Sequence, residues 1–215
     1  MIVAVDGPAA SGKGTLARRI ARELGYAYLD TGKLYRAVGM AVLRAGGDPS
    51  DAAAAELAAR GLDPAGLDDP ELTGDEAARA ASKVGAVPAV RTALLEMQRA
   101  FAGRDPGAVL DGRDIGTVVC PEADIKLYVT ASDEIRAERR HKELLDRGEA
   151  SIYARVLQDL KERDARDSAR SVAPMKPAED AVVIDTTGLD AEAAFAKAME
   201  LIRTAKAQAG RSSEQ

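Results

Sequence analysis

Tryptophan is absent and the aromatic share is 3%, so the chain lacks a platform on which the bases of a nucleic-acid strand could stack. Positive charge is not in excess either. The 30 Lys and Arg against 35 Asp and Glu leave a net charge of −5, which excludes a basic coat for wrapping nucleic acid. Cys120 is the single cysteine, so no intrachain disulfide can form; a buried small apolar group and a reducing, cytoplasmic compartment are expected. His141 is the single histidine and is expected at the surface as a bystander rather than a base. No stretch approaches the ~18 uninterrupted apolar residues of a membrane span, and the first apolar run is broken by Asp6 with no basic segment before it. What is present is 215 residues, 46% hydrophobic and rich in alanine. That suits one α/β domain with an aliphatic core, many helices and room for an insertion or two.

The most informative stretch is Ile2 to Thr15. A short apolar strand, Ile2-Val3-Ala4-Val5, meets Asp6 and then Gly7-Pro8-Ala9-Ala10-Ser11-Gly12-Lys13-Gly14-Thr15, with a helical pattern straight after. Gly7 and Gly12 bracket four residues and Lys13 follows, the spacing at which backbone N–H groups turn inward to make an anion-sized nest at a helix N-terminus. Lys13 adds a point charge for the β/γ-phosphates of a nucleoside triphosphate. Gly14 stands where a Mg²⁺-binding Ser or Thr is usual. Either Thr15 supplies that hydroxyl, or Mg²⁺ is held mainly by phosphates and waters, as a hard, reluctantly dehydrating ion allows.

Leu16, Ala17, Ile20, Ala21 and Leu24 recur at helical spacing, with Gly25 at the expected C-cap. A second strand, Tyr26 to Leu29, ends at Asp30-Thr31-Gly32, and a helix from about Lys33 carries Tyr35 and Arg36. Between Ala45 and Ala80 the pattern contributes little to a sheet. It predicts a small, mobile, mainly helical flap, with helix over about 51–60 and 74–84 and a Pro, Gly and Asp-rich break over 61–74. Pro88 starts the next helix. Ala108-Val109-Leu110 is a buried strand stopping at Asp111-Gly112-Arg113-Asp114; Ile125 to Val129 is a fourth strand, capped by Thr130 to Asp133 into a helix with Arg136, Arg139 and Arg140. A second excursion is expected over about 141–151, then a helix over about 152–167, a strand over 182–185, a helix over 191–207 and a frayed tail over 210–215. Strands alternating with helices imply a doubly wound parallel sheet of five strands, with ligands at its carboxyl edge.

Phosphoryl transfer needs positioning, charge neutralisation and exclusion of water more than covalent chemistry. Arginines and closing flaps supply those, and this chain has both after its third and fourth strands. Taken together, Gly7-Pro8 to Gly14-Thr15, Leu29-Asp30-Thr31-Gly32 with Tyr35-Arg36, Asp111 to Thr117, and Arg163-Asp164 to Arg170 before Ala173-Pro174 resemble bacterial cytidylate kinase, from about Ile2 to the last helix. The resemblance implies a P-loop NTPase three-layer fold forming one nucleoside monophosphate kinase domain over 1–215. Its core would be about 1–40, 84–132 and 155–207, with a helical monophosphate-binding insertion over about 41–83 and a short lid over about 133–154. It implies γ-phosphoryl transfer from ATP to CMP or dCMP, giving ADP and CDP or dCDP in pyrimidine nucleotide metabolism, with Mg²⁺ accompanying ATP; no exposed apolar stripe in the sequence demands a dimer, and a monomer is expected.

By position, the loop residues Gly7, Pro8, Ala9, Ala10, Ser11, Gly12, Lys13, Gly14 and Thr15 are expected to hold ATP. Thr31, Arg91, Arg113, Asp114, Asp167 and Arg170 are expected to surround CMP, with Ser82, Tyr35 and Arg36 nearby. Cytosine offers an exocyclic amine beside two acceptors. Asp114 could take the amine while Arg113 and Ser82 donate, a pattern uracil would violate. Arg91 is assigned to the monophosphate as a bidentate clamp. Asp114 as a helix cap and Thr31 as a plain N-cap stay open as the structural alternatives. Lys13, Arg139, Arg140 and Arg163 are the expected catalytic cations; Asp111 is placed to orient Mg²⁺-bound water. Members of the family often carry a longer insertion with strand character, and here 45–74 is short and Ala-rich. A P-loop kinase for UMP, AMP or a shikimate-like acceptor is the nearest alternative. A GTP-hydrolysing switch would need an Asn-Lys-x-Asp segment and a hydroxyl at position 14, and both are missing.

Overall fold

A computed structural model of the chain describes residues 1–212. Its five strands, β1 (Ile2–Asp6), β2 (Ala27–Asp30), β3 (Ala108–Gly112), β4 (Ile125–Thr130) and β5 (Val182–Asp185), form one sheet in the order β2-β3-β1-β4-β5. Every neighbouring pair is parallel. β1 therefore lies in the middle, and its carboxyl end is the point where the order of strands reverses, the usual seat of a ligand in such sheets.

Period-two alternation assigns the two faces. Val3 and Val5 of β1 pack with Val109, Leu127 and Ile184 against α1 (Lys13–Leu24) and α8 (Ala191–Ser212), through Leu16, Ile20, Met199 and Ile202. Ala4, Ala108 and Leu110 face the other way, with Ala102 from α5 (Pro88–Ala102) and a short π-helical turn over Ile115–Val119 that also buries Cys120. All these strand residues are buried on both faces, as a parallel sheet covered by helices requires.

The remaining helices are α2 (Thr31–Arg44), α3 (Ala52–Arg60), α4 (Asp75–Val84), α6 (Asp133–Asp146) and α7 (Tyr153–Ser168). α2 starts two residues earlier than expected because Asp30 caps it, accepting the Lys33 N–H at 3.2 Å. The stretch 61–74 is more regular than its composition suggests. Two short 3₁₀ turns, Pro64–Asp68 and Pro70–Thr73, are each started by an Asp-Pro pair whose carboxylate accepts an N–H two residues on, at 2.9 Å. This insertion is packed down: Ala55 and Ala59 sit in the cluster with Leu34 and Val38 of α2, while Leu72 and Ala77 pack on Met40. The second excursion is also more helical than expected. α6 runs on to Asp146, where Glu143 pairs with both Arg140 and Arg147 along the helix, so the connection to α7 shrinks to 147–152. Ala137, Leu144, Val156 and Leu160 close the α6/α7 hairpin. At the other end α8 continues to Ser212, and residues 213–215 of the expected tail lie outside the described residues. Among the described residues no helix is long and apolar enough to cross a membrane.

α2 and α4 approach closely at Gly39, where an added Cβ would lie 2.6 Å from the Ala80 Cβ and 2.9 Å from its backbone carbon. Helix propensity alone favours Ala over Gly by about 1 kcal/mol, whereas overpacking a tight contact costs about 1–3 kcal/mol. Gly39→Ala is thus expected to lower the urea midpoint of unfolding; an unchanged or raised midpoint would contradict this packing.

Candidate active site

The phosphate loop follows directly from β1. Gly7 has φ +147°, and a Cβ there would lie 2.0 Å from the Val129 carbonyl oxygen, so no other residue fits beneath the loop. Gly12, at φ +86°, turns the chain into α1 without a side-chain cap, leaving the first N–H groups of that helix for a ligand. The loop is braced from outside. The Ala9 carbonyl accepts from Arg136 Nη1 at 3.1 Å, and the Ser11 carbonyl accepts from Thr186 Oγ1 at 3.1 Å.

Lys13 is half-buried with its Nζ 3.5 Å from the Pro8 carbonyl. Burial, with help from the Arg113 charge, pushes its ammonium down to about 7, against the pull of Asp111 and Asp30. Those carboxylates are register partners at the ends of β3 and β2. Asp30 is held below the ordinary carboxylate range because Arg36, at 2.7 Å, and Lys13 outweigh its burial. Asp111 is pushed up by burial and by Asp30, and Tyr28 donates to its Oδ2 at 2.6 Å. A Cβ on Gly14 would come within 3.3 Å of that same Oδ2, which explains why the loop carries no side chain there.

Across the cleft, α7 presents Arg163 and Asp167 on one face, and Arg170 follows just beyond its C-terminal end. Asp167 is 1% exposed and is met by Arg113 Nε at 3.2 Å, by Arg163 Nε at 3.9 Å and by Arg170 Nη2 in a direct hydrogen bond. Three guanidinium groups thus surround one carboxylate. Burial alone would raise Asp167; the arginines outweigh it and hold the group below its ordinary value. Arg163 bears the imbalance: burial and then the Arg113 charge lower it to about 10. The Nε atoms of Arg36, Arg163 and Arg170 are buried without a hydrogen-bond partner. Buried donors and unbalanced charge of this kind call for an anion.

The structure exchanges the surroundings expected for Arg91 and Arg113. Arg91 is 8% exposed and donates to Asp114 Oδ2 and, at 3.1 Å, to the Gly85 carbonyl, lying 5.3 Å over the Tyr35 ring. Arg91 is thus paired with Asp114, and Arg113 with Asp167. Asp114 precedes the π-helical turn without capping it. Ser82 Oγ donates to Asp167 Oδ1 at 3.3 Å and accepts from Arg166 Nη1 at 2.9 Å. Thr31 is not the N-cap of α2; its hydroxyl donates to the Asp111 carbonyl at 2.7 Å.

Two of the expected catalytic arginines are engaged elsewhere. Arg139 donates to Thr186 Oγ1 at 2.9 Å and to the Thr186 carbonyl at 2.7 Å. Arg140 pairs with Asp75 at the start of α4 and, at 2.8 Å, with Glu143; Arg147 donates to the Thr73 carbonyl at 2.9 Å. The C-terminal part of α6 and residues 73–75 therefore touch at the edge of the cleft. Arg136 is a bolt, 3% exposed, tied to Asp133 at 2.5 Å and Asp164 at 2.6 Å as well as to the loop. His141 bonds Ser151 Oγ at 2.8 Å on the lid, away from the groups above. The main cleft has a volume of about 790 Å³; it runs from Lys13 to Arg170 and takes in Tyr35, Arg36, Ser82, Arg91, Arg113, Asp114 and Asp167. A smaller one of about 250 Å³ opens beside Gly12, Thr15 and Arg139, walled by Val129, Leu189 and Ala194. Residues missed in sequence are those whose partners lie far along the chain, notably Asp6, Tyr28 and Arg166.

A family model described as cytidylate kinase matches residues 3–204. The chain is 63% identical over 204 residues to a cytidylate kinase of Paramagnetospirillum magneticum, covering 94% of this chain and 97% of that protein. It is 62% identical over 206 residues to a cytidylate kinase of Rhodospirillum rubrum, covering 94% and 97%. The crystal structure of an uncharacterized protein from Eubacterium ventriosum ATCC 27560 superposes with a TM-score of 0.54 at 14% identity, over 95% of this chain and 98% of that one, a likeness of fold alone.

The depressed Lys13 gives a measurable signature. Above pH 7 the empty loop holds Lys13 largely neutral, and a polyphosphate restores its proton, so binding takes up protons and weakens as pH rises. Calorimetric titration with a non-hydrolysable nucleoside triphosphate at about pH 8, in buffers of different ionisation enthalpy, is expected to show uptake approaching one proton. Zero uptake or release would contradict the placement of Lys13.

Proposed function

The chain belongs to the cytidylate kinase family, and from that premise we propose that it transfers the γ-phosphoryl group of ATP to CMP or dCMP, giving ADP and CDP or dCDP. The observation that carries the reading is the buried Arg91–Asp114 pair set beside the surplus of guanidinium around Asp167. The first is a donor–acceptor edge for a base, and the second is a seat for its phosphate.

The loop amides from Gly7 to Thr15 and Lys13 hold the ATP phosphates, and the smaller cleft takes the adenine between Leu189 and Arg139. The CMP phosphate lies among Arg36, Arg113, Arg163 and Arg170, whose free donors and excess charge it satisfies. Arg113 and Arg163 both act on Lys13 through space, so the migrating phosphoryl group has cations on its departing and arriving sides. An oxygen of the CMP phosphate forms the new P–O bond as the bond to the ADP oxygen breaks in line. Asp114 accepts from the cytosine amine while Arg91 donates to the neighbouring ring acceptors; uracil would set a carbonyl against the carboxylate.

Among the described residues no cluster of three or more His, Cys, Asp or Glu is built to hold a metal. Thr15 and Asp111 are the oxygen groups at the loop, and they fit a Mg²⁺ held mainly by phosphates and water. Bound there, Mg²⁺ would neutralise phosphate charge. Residues 41–83 and 133–154 serve as insertion and lid, and the Arg140–Asp75 and Arg147–Thr73 contacts hold them together over the substrates, excluding water. The enzyme works as a soluble cytoplasmic monomer.

Asp114→Ala tests the base-reading. Its kcat/KM for CMP is expected to fall roughly 100-fold or more and that for UMP less than about tenfold, since a buried polar partner discriminates strongly. Equal losses would make Asp114 structural.

A further inference from the structure

Asp6 closes β1, one residue before the phosphate loop, and is 4% exposed. Its two carboxylate oxygens are both used: Oδ1 accepts the Ile115 N–H and Oδ2 the Gly116 N–H, each at 2.8 Å, from a turn 109 residues away. Those are the first two N–H groups of the π-helical turn, and the second, at Gly116, is one that a preceding Asp ordinarily caps with its own side chain. Asp114 occupies the preceding position and does not cap; its carboxylate is turned to Arg91. Its backbone is locked meanwhile by its carbonyl, which accepts Val118 N–H at 2.9 Å and Val119 N–H at 3.2 Å.

We infer that Asp6 is a positioning residue for acceptor selectivity: by capping the 115–119 turn from β1 it frees the Asp114 carboxylate to pair with Arg91 and read the base. Without Asp6, both N–H donors would be left bare, and a local bond from the Gly116 N–H, two residues on, to the Asp114 carboxylate would compete with the one that cytosine needs. The arrangement also joins the phosphate loop to the base-reading turn through one residue, so the two substrates are set at a fixed spacing. The inference rests on Asp114 reading cytosine.

The link carries a pH dependence. Burial raises the Asp6 carboxyl to about 7, against the Gly116 and Ile115 amides that lower it. The groups that face it are Asp114, which raises it, Arg113, which lowers it, and Cys120, Tyr128 and the Lys126 side chain packed at Gly116. Because the folded value lies above the ordinary one, both N–H bonds are intact above about pH 7 and one is lost as Asp6 takes up its proton below it.

The test compares Asp6→Asn, Asp114→Ala and the double variant with wild type, using CMP and UMP as acceptors with ATP and Mg²⁺. Asn keeps the size and one acceptor but turns an NH₂ group towards a backbone N–H. Asp6→Asn is expected to lower the CMP-over-UMP preference roughly tenfold through KM for CMP, with KM for ATP within about twofold. In the Asp114→Ala background the same substitution is expected to move the preference no further. An unchanged preference, parallel rises in both KM values, or additive effects would overturn the inference. Equal loss of CMP and UMP efficiency in Asp114→Ala would overturn the base-reading assignment instead, which separates the two failures. If Asp6→Asn does not fold, the wild type reports the link. Its CMP-over-UMP preference is expected to fall several-fold between about pH 8 and about pH 6, the shared phosphate ionisation cancelling in the ratio, and a flat ratio would overturn the inference.

Discussion

Positive charge held out of water without enough negative charge to match it is the constraint on which this structure turns. Asp167 is encircled by Arg113, Arg163 and Arg170, and three buried Nε donors nearby go without partners. An uncompensated buried charge costs several kcal/mol, which a fold of ordinary stability sustains only where a ligand relieves it. The fold sustains it by placing Arg113 at the carboxyl end of β3, Arg163 on α7 and Arg170 just beyond it, around a carboxylate that is itself fixed. Lys13 obeys the same logic on the other side of the cleft, where burial and then the neighbouring guanidinium groups lower its ammonium to about 7.

How much of this was legible depends on how local each device is. The phosphate loop could be read outright, because strand, glycine spacing and lysine lie within fifteen consecutive residues. Arg163 and Asp167 were legible for the same reason, since positions four apart on a helix share a face, and Arg170 follows just beyond the helix end. The order of elements sufficed for the parallel sheet. Partners set by tertiary approach were not legible. The sequence reading set Arg91 on the monophosphate and Arg113 beside the base, and only the folding of α5 against the 113–116 turn puts Arg91 on Asp114. Arg139 and Arg140 were expected to turn to ATP phosphates, and the sequence could not show that Thr186 and Asp75 meet them from positions 47 and 65 residues away.

The insertion shows why composition misled. A run rich in Ala, Pro and Asp reads as loose, yet alanines let helices approach closely, and Gly39 against Ala80 needs that closeness. Asp63 and Asp69 then turn a break into two capped 3₁₀ turns. A short segment assembled this way is a firm wall of the main cleft, bridged to α6 by Arg140 and Arg147.

The account stands or falls on which acceptor the charged cleft takes. The most direct measurement is ADP release from ATP and Mg²⁺ with CMP, dCMP, UMP, AMP and GMP offered one at a time, beside a control without acceptor. Strong activity confined to CMP and dCMP is the predicted result. Equal or greater activity with UMP or a purine nucleotide, or ADP release without any acceptor, would contradict it.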